Sequence, residues 1–486
     1  MITRAKIIII CGLLLLNGCK GVPMHPPLDL STPKMTRNGL KIQDNPEDIS
    51  HFMWWKKMHD PVLNQLIQEA LKNNNQLEMA QANILQAQAK LKQARFAWLP
   101  TLGVSGNGFV GGGWDSSFNP EGALAQIPSL SKMGSIHFRG YYSGFVPSYS
   151  LNILANIHNN KFATASLAMQ KATYLSTRLS IISQISGSYF MLLGQQAQLG
   201  EQAQLVRDLK HLRHLEFVRY QAGASDLSTV TSLDQQIVNN EASLSSIENS
   251  IAQVENAIAL LLNQNPGTIK THQSIQALSI QGLIPSCLTS GVLKNRPDII
   301  MAGENLRMSG ANLGLAYANF FPSISLTGLL GGASVELSHL LKLSTSFWIA
   351  QAMASMPILN GANYEQINVG KAGYTAAYFS YAQTVRAAFA DVDNSLTNQQ
   401  KINAILANKT TALAASKRSY RLCLARYNAG AKDAREIANA KLTVDYAVLD
   451  LNQAKMQQLD SIVEVYQALG GGSKANQSAT PHLYKR

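Results

Sequence analysis

The chain has 486 residues, of which 14% are charged and 7% aromatic, and a formal net charge of +12. That length allows two to four ordinary domains or one large repetitive object. A positive balance could suit a nucleic-acid partner, but no basic run is longer than Lys56-Lys57, so the excess is diffuse and nucleic-acid binding is not expected.

In chain order, the first segment reads as a targeting signal. Arg4 and Lys6 precede the apolar run IIIICGLLLL, which is too short to span a bilayer and has the layout of a secretory signal peptide. Leu16-Asn17-Gly18-Cys19 resembles a bacterial lipoprotein box. The expectation is a signal peptide over 1–18, acylation at Cys19, and a lipid-anchored linker over 19–53. Lys20 in place of Asp resembles the pattern of lipoproteins sent to the outer membrane. Cys287 and Cys423 are too few for a disulfide scaffold and are expected as free thiols.

From residue 54 onward the chain is duplicated. Leu77, Ala80, Ile84, Ala87, Leu91, Ala94 and Trp98 step by alternating threes and fours. Ile299, Ala302, Leu306, Ser309, Leu313, Ala316 and Phe320 repeat that spacing. Such steps over several turns argue for coiled-coil packing. Each set ends at a proline, Pro100 or Pro322, and each continues as an alternating strand. Farther on, RYQAGASD at 219–226 matches RYNAGAKD at 426–433. The prolines are 222 positions apart but the RY motifs only 207, so the first copy carries a longer loop between its strands, roughly 111–142 against 333–346. Each copy reads helix, strand, loop, strand, long helix, turn, helix. The boundaries are 54–265 for the first repeat, 266–285 for an equatorial linker, 286–470 for the second repeat, and 471–486 for a flexible tail. The long helix expected over 156–223 would be ~100 Å at about 1.5 Å per residue, with shorter helices near 62–98 and 227–264.

Four strands are expected, near 100–110, 143–153, 322–331 and 346–358. Ile324, Leu326 and Leu330 share one face opposite Ser323, Ser325 and Thr327; Leu102, Val104 and Val110 lie opposite Thr101, Ser105 and Asn107. Tyr142, Tyr149, Phe347 and Trp348 fall towards strand ends, and Pro147 and Pro357, lacking an N–H, belong at ends or irregular positions. Alternation over about ten residues with aromatics at the rims is the pattern of a membrane β-barrel strand. Hydrocarbon does not tolerate an open sheet edge, and four strands cannot close when barrels start at about eight. Several copies are therefore expected to complete one barrel; the sequence alone permits two or more.

These residues carry a resemblance. DPVLNQLIQEALKNN at 60–74, RPDIIMAGENLRMSGANLGLAYANFFPSISLTG at 296–328, both RYxAG turns and YQALGGG at 466–472 resemble the TolC-like outer-membrane efflux factors, in the lipoprotein branch serving resistance–nodulation–division pumps. The resemblance implies a mostly α protein with a membrane β-barrel: a homotrimer whose 12-stranded barrel continues as a periplasmic α-helical coiled-coil tunnel. It further implies an outer-membrane exit duct working with a periplasmic adaptor and an inner-membrane pump. Asn152 stands where the family commonly has Asp, and Ala155 and Ala362 where it often has Gly.

The RYxAG turns have a local account: Gly223 and Gly430 suit left-handed helix ends, Asp226 and Asp433 suit caps, and Asp433 with Glu436 forms a candidate capping box. By resemblance the same region is the periplasmic tip, so Tyr220, Gly223, Tyr427, Gly430, Lys432 and Glu436 are the candidate gate residues. Asn439, where an acid often occurs, argues against an acidic ring. Other cargoes of the same fold, protein secreted by a type I system or metal ions, stay open, as does a purely structural coiled-coil lipoprotein. Gly106–Gly111 fits G-x-G-x-x-G but precedes no helix. His211 and His214 lack further ligands. No catalytic constellation, metal site or cofactor motif is present, so no enzyme activity is expected.

Overall fold

A computed structural model describes residues 42–43, 52–112, 137–278, 280, 283, 288–289, 295–342 and 346–471. The signal segment, Cys19, Cys287 and the tail lie outside the described residues, as does most of the expected first loop. The elements are α1 (Pro61–Asn73), α2 (Asn75–Phe96), β1 (Thr101–Gly112), β2 (His137–Leu151), α3 (Ile153–Gln221) and α4 (Leu227–Leu261). The second half contributes α5 (Pro297–Ala318), β3 (Ser323–Ser334), β4 (Ser346–Ser355), α6 (Gly361–Asn428) and α7 (Ala434–Ala468). The long helices α3 and α6 have 69 and 68 residues, about 100 Å each.

One difference from the expected pattern lies at the start. The helix read over 62–98 is two helices, because Asn74 adopts an extended conformation and its side-chain amide donates to the Leu261 carbonyl at 2.8 Å. Asp60 starts α1: its Oδ1 accepts from the N–H groups of Val62 and Leu63, ahead of Pro61 at the first helical position.

The chain forms two compact units. The first holds residues through Asn74, 178–299 and 379 onward. Its centre is aromatic. Trp54 stacks on Tyr466 with centroids 5.1 Å apart, and the buried Tyr189 hydroxyl donates to Asp60 Oδ2 at 2.7 Å. Leu205, Leu209 and Leu212 of α3 pack with Leu233 and Ile237 of α4 and Ala438 and Leu442 of α7. Burying each such leucine contributes about 1.5–3 kcal/mol.

The second unit comprises 75–177 and 300–378 and contains an antiparallel sheet of order β1-β2-β3-β4. The duplication persists in its hydrogen bonds. Thr101 Oγ1 meets Ser148 Oγ at 2.7 Å, and Ser323 Oγ meets Ser355 Oγ at 3.0 Å, at equivalent positions of the two hairpins. Likewise the Asn156 amide donates to the Ala97 carbonyl, and the Asn363 amide to the Asn319 carbonyl.

Register places Leu102, Val104, Phe145, Tyr149, Ile324, Leu326, Leu330 and Trp348 on one face. That face is uncovered: Val104 is 75% exposed, Val110 84% and Trp348 75%. The opposite face carries Thr101, Ser105, Asn107, Ser148, Ser323, Ser325, Thr327 and Gln351. One detail corrects the sequence reading, and two refine it. Tyr142 is no rim residue; it sits mid-strand on the polar face, where Asn107 Nδ2 donates to its hydroxyl at 2.6 Å. Phe347 lies at a strand end as read, on the polar face, because strand alternation sets it opposite to Trp348. Pro147 lies inside β2, where the ladder to β3 passes from Phe145↔Leu330 to Ser148↔Thr327. The missing proline N–H coincides with that interruption. Gly144 and Gly331 face each other so closely that a Cβ on Gly331 would stand 2.1 Å from the Ser143 carbonyl oxygen.

Candidate functional site

The two turns joining α3 to α4 and α6 to α7 are built alike. Gly223 and Gly430 have φ of 72° and 73°, a region open to glycine but strained for side chains. Their geometry lets the N–H groups of Gly223 and Ala224 return to the carbonyls of Tyr220 and Arg219. Gly430 and Ala431 do the same to Tyr427 and Arg426. The last helix carbonyls are thereby satisfied, as in a glycine-terminated helix.

Capping of the following helices is unequal. Asp433 Oδ1 accepts from the Arg435 N–H at 3.2 Å, whereas the Asp226 side chain makes no cap bond. The expected capping box is not formed: Asp433 accepts from the Arg435 N–H rather than that of Glu436, and the Glu436 carboxylate pairs with Lys432 Nζ. The Asp433 carboxyl is held below its ordinary value, first by the Arg435 N–H and then by the charge of Arg219.

Of the six residues singled out from the sequence, only Lys432 and Glu436 are brought together. Tyr220 and Tyr427 project as exposed rings, and the two glycines act through the backbone. Of the residues that fasten the turns to each other, the sequence reading named only Asp433, and only as a cap. Arg219 Nη1 pairs with Asp433 Oδ2 at 2.6 Å, and Arg219 Nη2 donates to the Ala224 carbonyl at 3.0 Å. Arg435 approaches the buried Glu216 at 3.5 Å, and Ser225 Oγ donates to the other oxygen of Glu216 at 2.8 Å. The signal was present, since Arg219 and Asp433 are the outer residues of the repeated motif itself.

Farther along the same helices, Lys441 of α7 lies 3.3 Å from Asp208 of α3 and also contacts Asp445. Burial pushes the Asp445 carboxyl up to about 6, with Lys441 opposing and Asp208 adding to the rise. Burial alone would raise Asp208 too, but hydrogen bonds from Gln204 and Asp445 and the Lys441 charge bring it below its ordinary value. The α3–α7 contact is thus a row of charged links running away from the turns.

Among the described residues no group of three or more His, Cys, Asp or Glu could hold a metal, and His211 and His214 are solvent-exposed. The Gly106–Gly111 run lies within β1. Cys423 is a free thiol. No described helix is long and apolar enough to cross a membrane.

The comparisons agree with this layout. The family model described as outer membrane efflux protein matches residues 66–264 and 288–471, one stretch in each repeat. The cation efflux system protein CusC of Escherichia coli K12 is 27% identical over 483 residues, covering 96% of this chain and 99% of that protein. The probable efflux pump outer membrane protein TtgC of Pseudomonas putida is 25% identical over 438 residues, covering 88% and 87%. Among solved structures, the open state of the Neisseria gonorrhoeae MtrE outer membrane channel superposes with a TM-score of 0.79 at 24% identity, covering 95% of this chain and all of that one. The Campylobacter jejuni CmeC outer membrane channel gives 0.75 at 23% identity, covering 88% and 89%. With both repeats matched and nearly the whole chain aligned, the protein belongs to the outer membrane efflux protein family.

Proposed function

We infer that this protein is the outer-membrane exit duct of a tripartite efflux system. It passively conducts small molecules delivered by an inner-membrane pump through a periplasmic adaptor. The observation that carries this reading is the four-stranded sheet. Its apolar face is bare, the outer edges of β1 and β4 meet no further strand among the described residues, and hydrocarbon accepts neither open edges nor unpaired backbone groups. Copies of the chain must close the barrel, and three copies give twelve strands. The turns form the periplasmic tip, where Tyr220, Tyr427, Lys432 and Glu436 line the constriction and the Arg219–Asp433 pair holds it shut. Cys19 is the lipid attachment point that anchors the chain to the outer membrane.

Cargo is the open part of this proposal. CusC is named for cation efflux and TtgC for an efflux pump, at nearly equal identity. The dispersed methionines of this chain favour no soft-metal path, so drugs and other organic molecules are the preferred cargo. Purified protein reconstituted in planar bilayers should conduct, and more so after Arg219→Ala or Glu436→Ala. Absence of conductance in all three would contradict the duct. Palmitate label should enter the wild type and not Cys19→Ala; equal labelling would remove the anchor.

A further inference from the structure

The polar links within the first unit run in a definite order. Lys210 and Arg213 of α3 pair with Glu241 and Asp234 of α4. Arg219 and Asp208 of α3 pair with Asp433 and Lys441 of α7. Asp450 and Glu464 of α7 join Lys409 and Asn398 of α6. The helices α4 and α6 are therefore the outer members of this series of links, each joined to one neighbour, with the α4 acids flanking its contact with α3.

Those outer helices carry opposite charge. Helix α4 contains Asp234, Glu241, Glu248 and Glu255, spaced by seven, and no Lys, Arg or His. From Asn394 to its end at Asn428, α6 contains Lys401, Lys409, Lys417, Arg418, Arg421 and Arg426 and no acid. Leu413, Ser416, Tyr420 and Cys423 take the more buried seam of α6, while Lys417, Arg418 and Arg421 are exposed. Among the described residues Lys417, Arg418, Arg426 and Glu248 have no ion pair. Exposed apolar side chains accompany both rows: Val238 on α4 and Leu422 on α6 are 62% and 58% exposed.

The rows are also level. Counted from the helix ends nearest the turns, Leu227 and Asn428, the acids stand 7, 14, 21 and 28 residues away. Arg421, Lys417, Lys409 and Lys401 stand 7, 11, 19 and 27 residues away. The largest mismatch is three residues, about 5 Å along a helix, which a lysine or arginine stem spans. The Arg219–Asp433 and Arg435–Glu216 pairs tie the two turns together within one copy, and rotation about a ring axis keeps heights unchanged between copies.

We propose that the basic edge of α6 docks against the acidic edge of α4 of a second copy of this chain, and that this charge seam sets the register in which copies close. The occupant is a second copy because charge, height and exposed apolar side chains on one edge are all answered by the other edge of the same molecule. Asp234 and Glu241 keep their α3 partners and accept a second cation, their side chains being 50% and 44% exposed. Acid-only against base-only also excludes the wrong pairings, α4 against α4 and α6 against α6, by repulsion.

The proposal rests on the duct reading, and the test separates the two. The full-length lipoprotein, extracted in detergent, is sized by light scattering as wild type, as Lys417→Glu/Arg418→Glu/Arg421→Glu, and as that triple combined with Glu241→Lys/Glu248→Lys; circular dichroism confirms helicity of each. The triple should dissociate, with association weakened on the order of tenfold or more, the combined variant should reassemble, and wild-type assembly should weaken as salt rises. A triple as oligomeric as wild type overturns the seam, even where it has lost binding to an adaptor protein; so does a folded combined variant that stays monomeric. A monomeric wild type instead overturns the duct reading itself.

Discussion

Asp445 gives the sharpest pH-dependent prediction. It is 2% exposed on α7, beside Lys441 and facing Asp208, and burial pushes its carboxyl from 3.8 up to about 6. Between these values the folded chain holds a proton that the unfolded chain has released. Stability therefore falls as pH rises through that window, and the cost is complete above about pH 6. Roughly two pH units correspond to about 3 kcal/mol at most, with the opposing Lys441 charge already included in the shift. Asp445→Asn removes the ionisable group while preserving shape, and Lys441 keeps Asp208 as its partner. The assay is the thermal unfolding midpoint of wild type and variant in detergent from about pH 4 to 8. Relative to wild type, the variant should gain a few degrees across this range, with the gain concentrated between about 4 and 6.5. A difference that stays constant with pH, or a wild type that gains on the variant as pH rises, would refute the reasoning.

Other outcomes are expected at separate places in the molecule. Arg219→Ala loses a partly exposed pair worth about 0.2–1 kcal/mol per copy; on the proposed gating role of the turns, three copies would shift the closed–open balance several-fold, and single-channel recordings with an unchanged open probability would argue against that role. Tyr189→Phe leaves Asp60 Oδ2 buried without its donor and should cost about 1–3 kcal/mol in unfolding, while retaining the α1 cap. In the sheet, Gly331→Ala must part β2 from β3 and should reduce detergent-stable oligomer on gels, whereas Gly103→Ala, whose nearest neighbour atom would be 3.8 Å away, should not. Equal behaviour of those two variants would show that the close approach carries no weight.

Much of the architecture was legible in the sequence because it depends on periodicity. Steps of three and four gave the long helices at their observed length, and alternation gave four strands, the second starting six residues earlier than read. Gly223 and Gly430 were legible for the same local reason, since a repeated RYxAG ends a helix in only a few ways. Where contacts arise from residues distant in the chain, local pattern was silent. The break at Asn74 depends on a carbonyl 187 positions away, and the Arg219–Asp433 ion pair spans 214. Tyr142 was misplaced because a strand's ends and its register with both neighbours are fixed by pairing, whereas Pro147 does sit at an irregular position, the gap in the ladder to β3.

The amino-acid order by itself determined the repeat, the switch from helix to strand at Pro100 and Pro322, and the need for more than one copy, because periodicity and edge closure are properties of a single line of residues. Tertiary structure alone decided which helices are inner and which are outer, and hence that acids spaced along α4 and bases spaced along α6 stand at matching heights on opposite edges. Charge along a sequence has no direction until packing turns each side chain towards a neighbour or away from it.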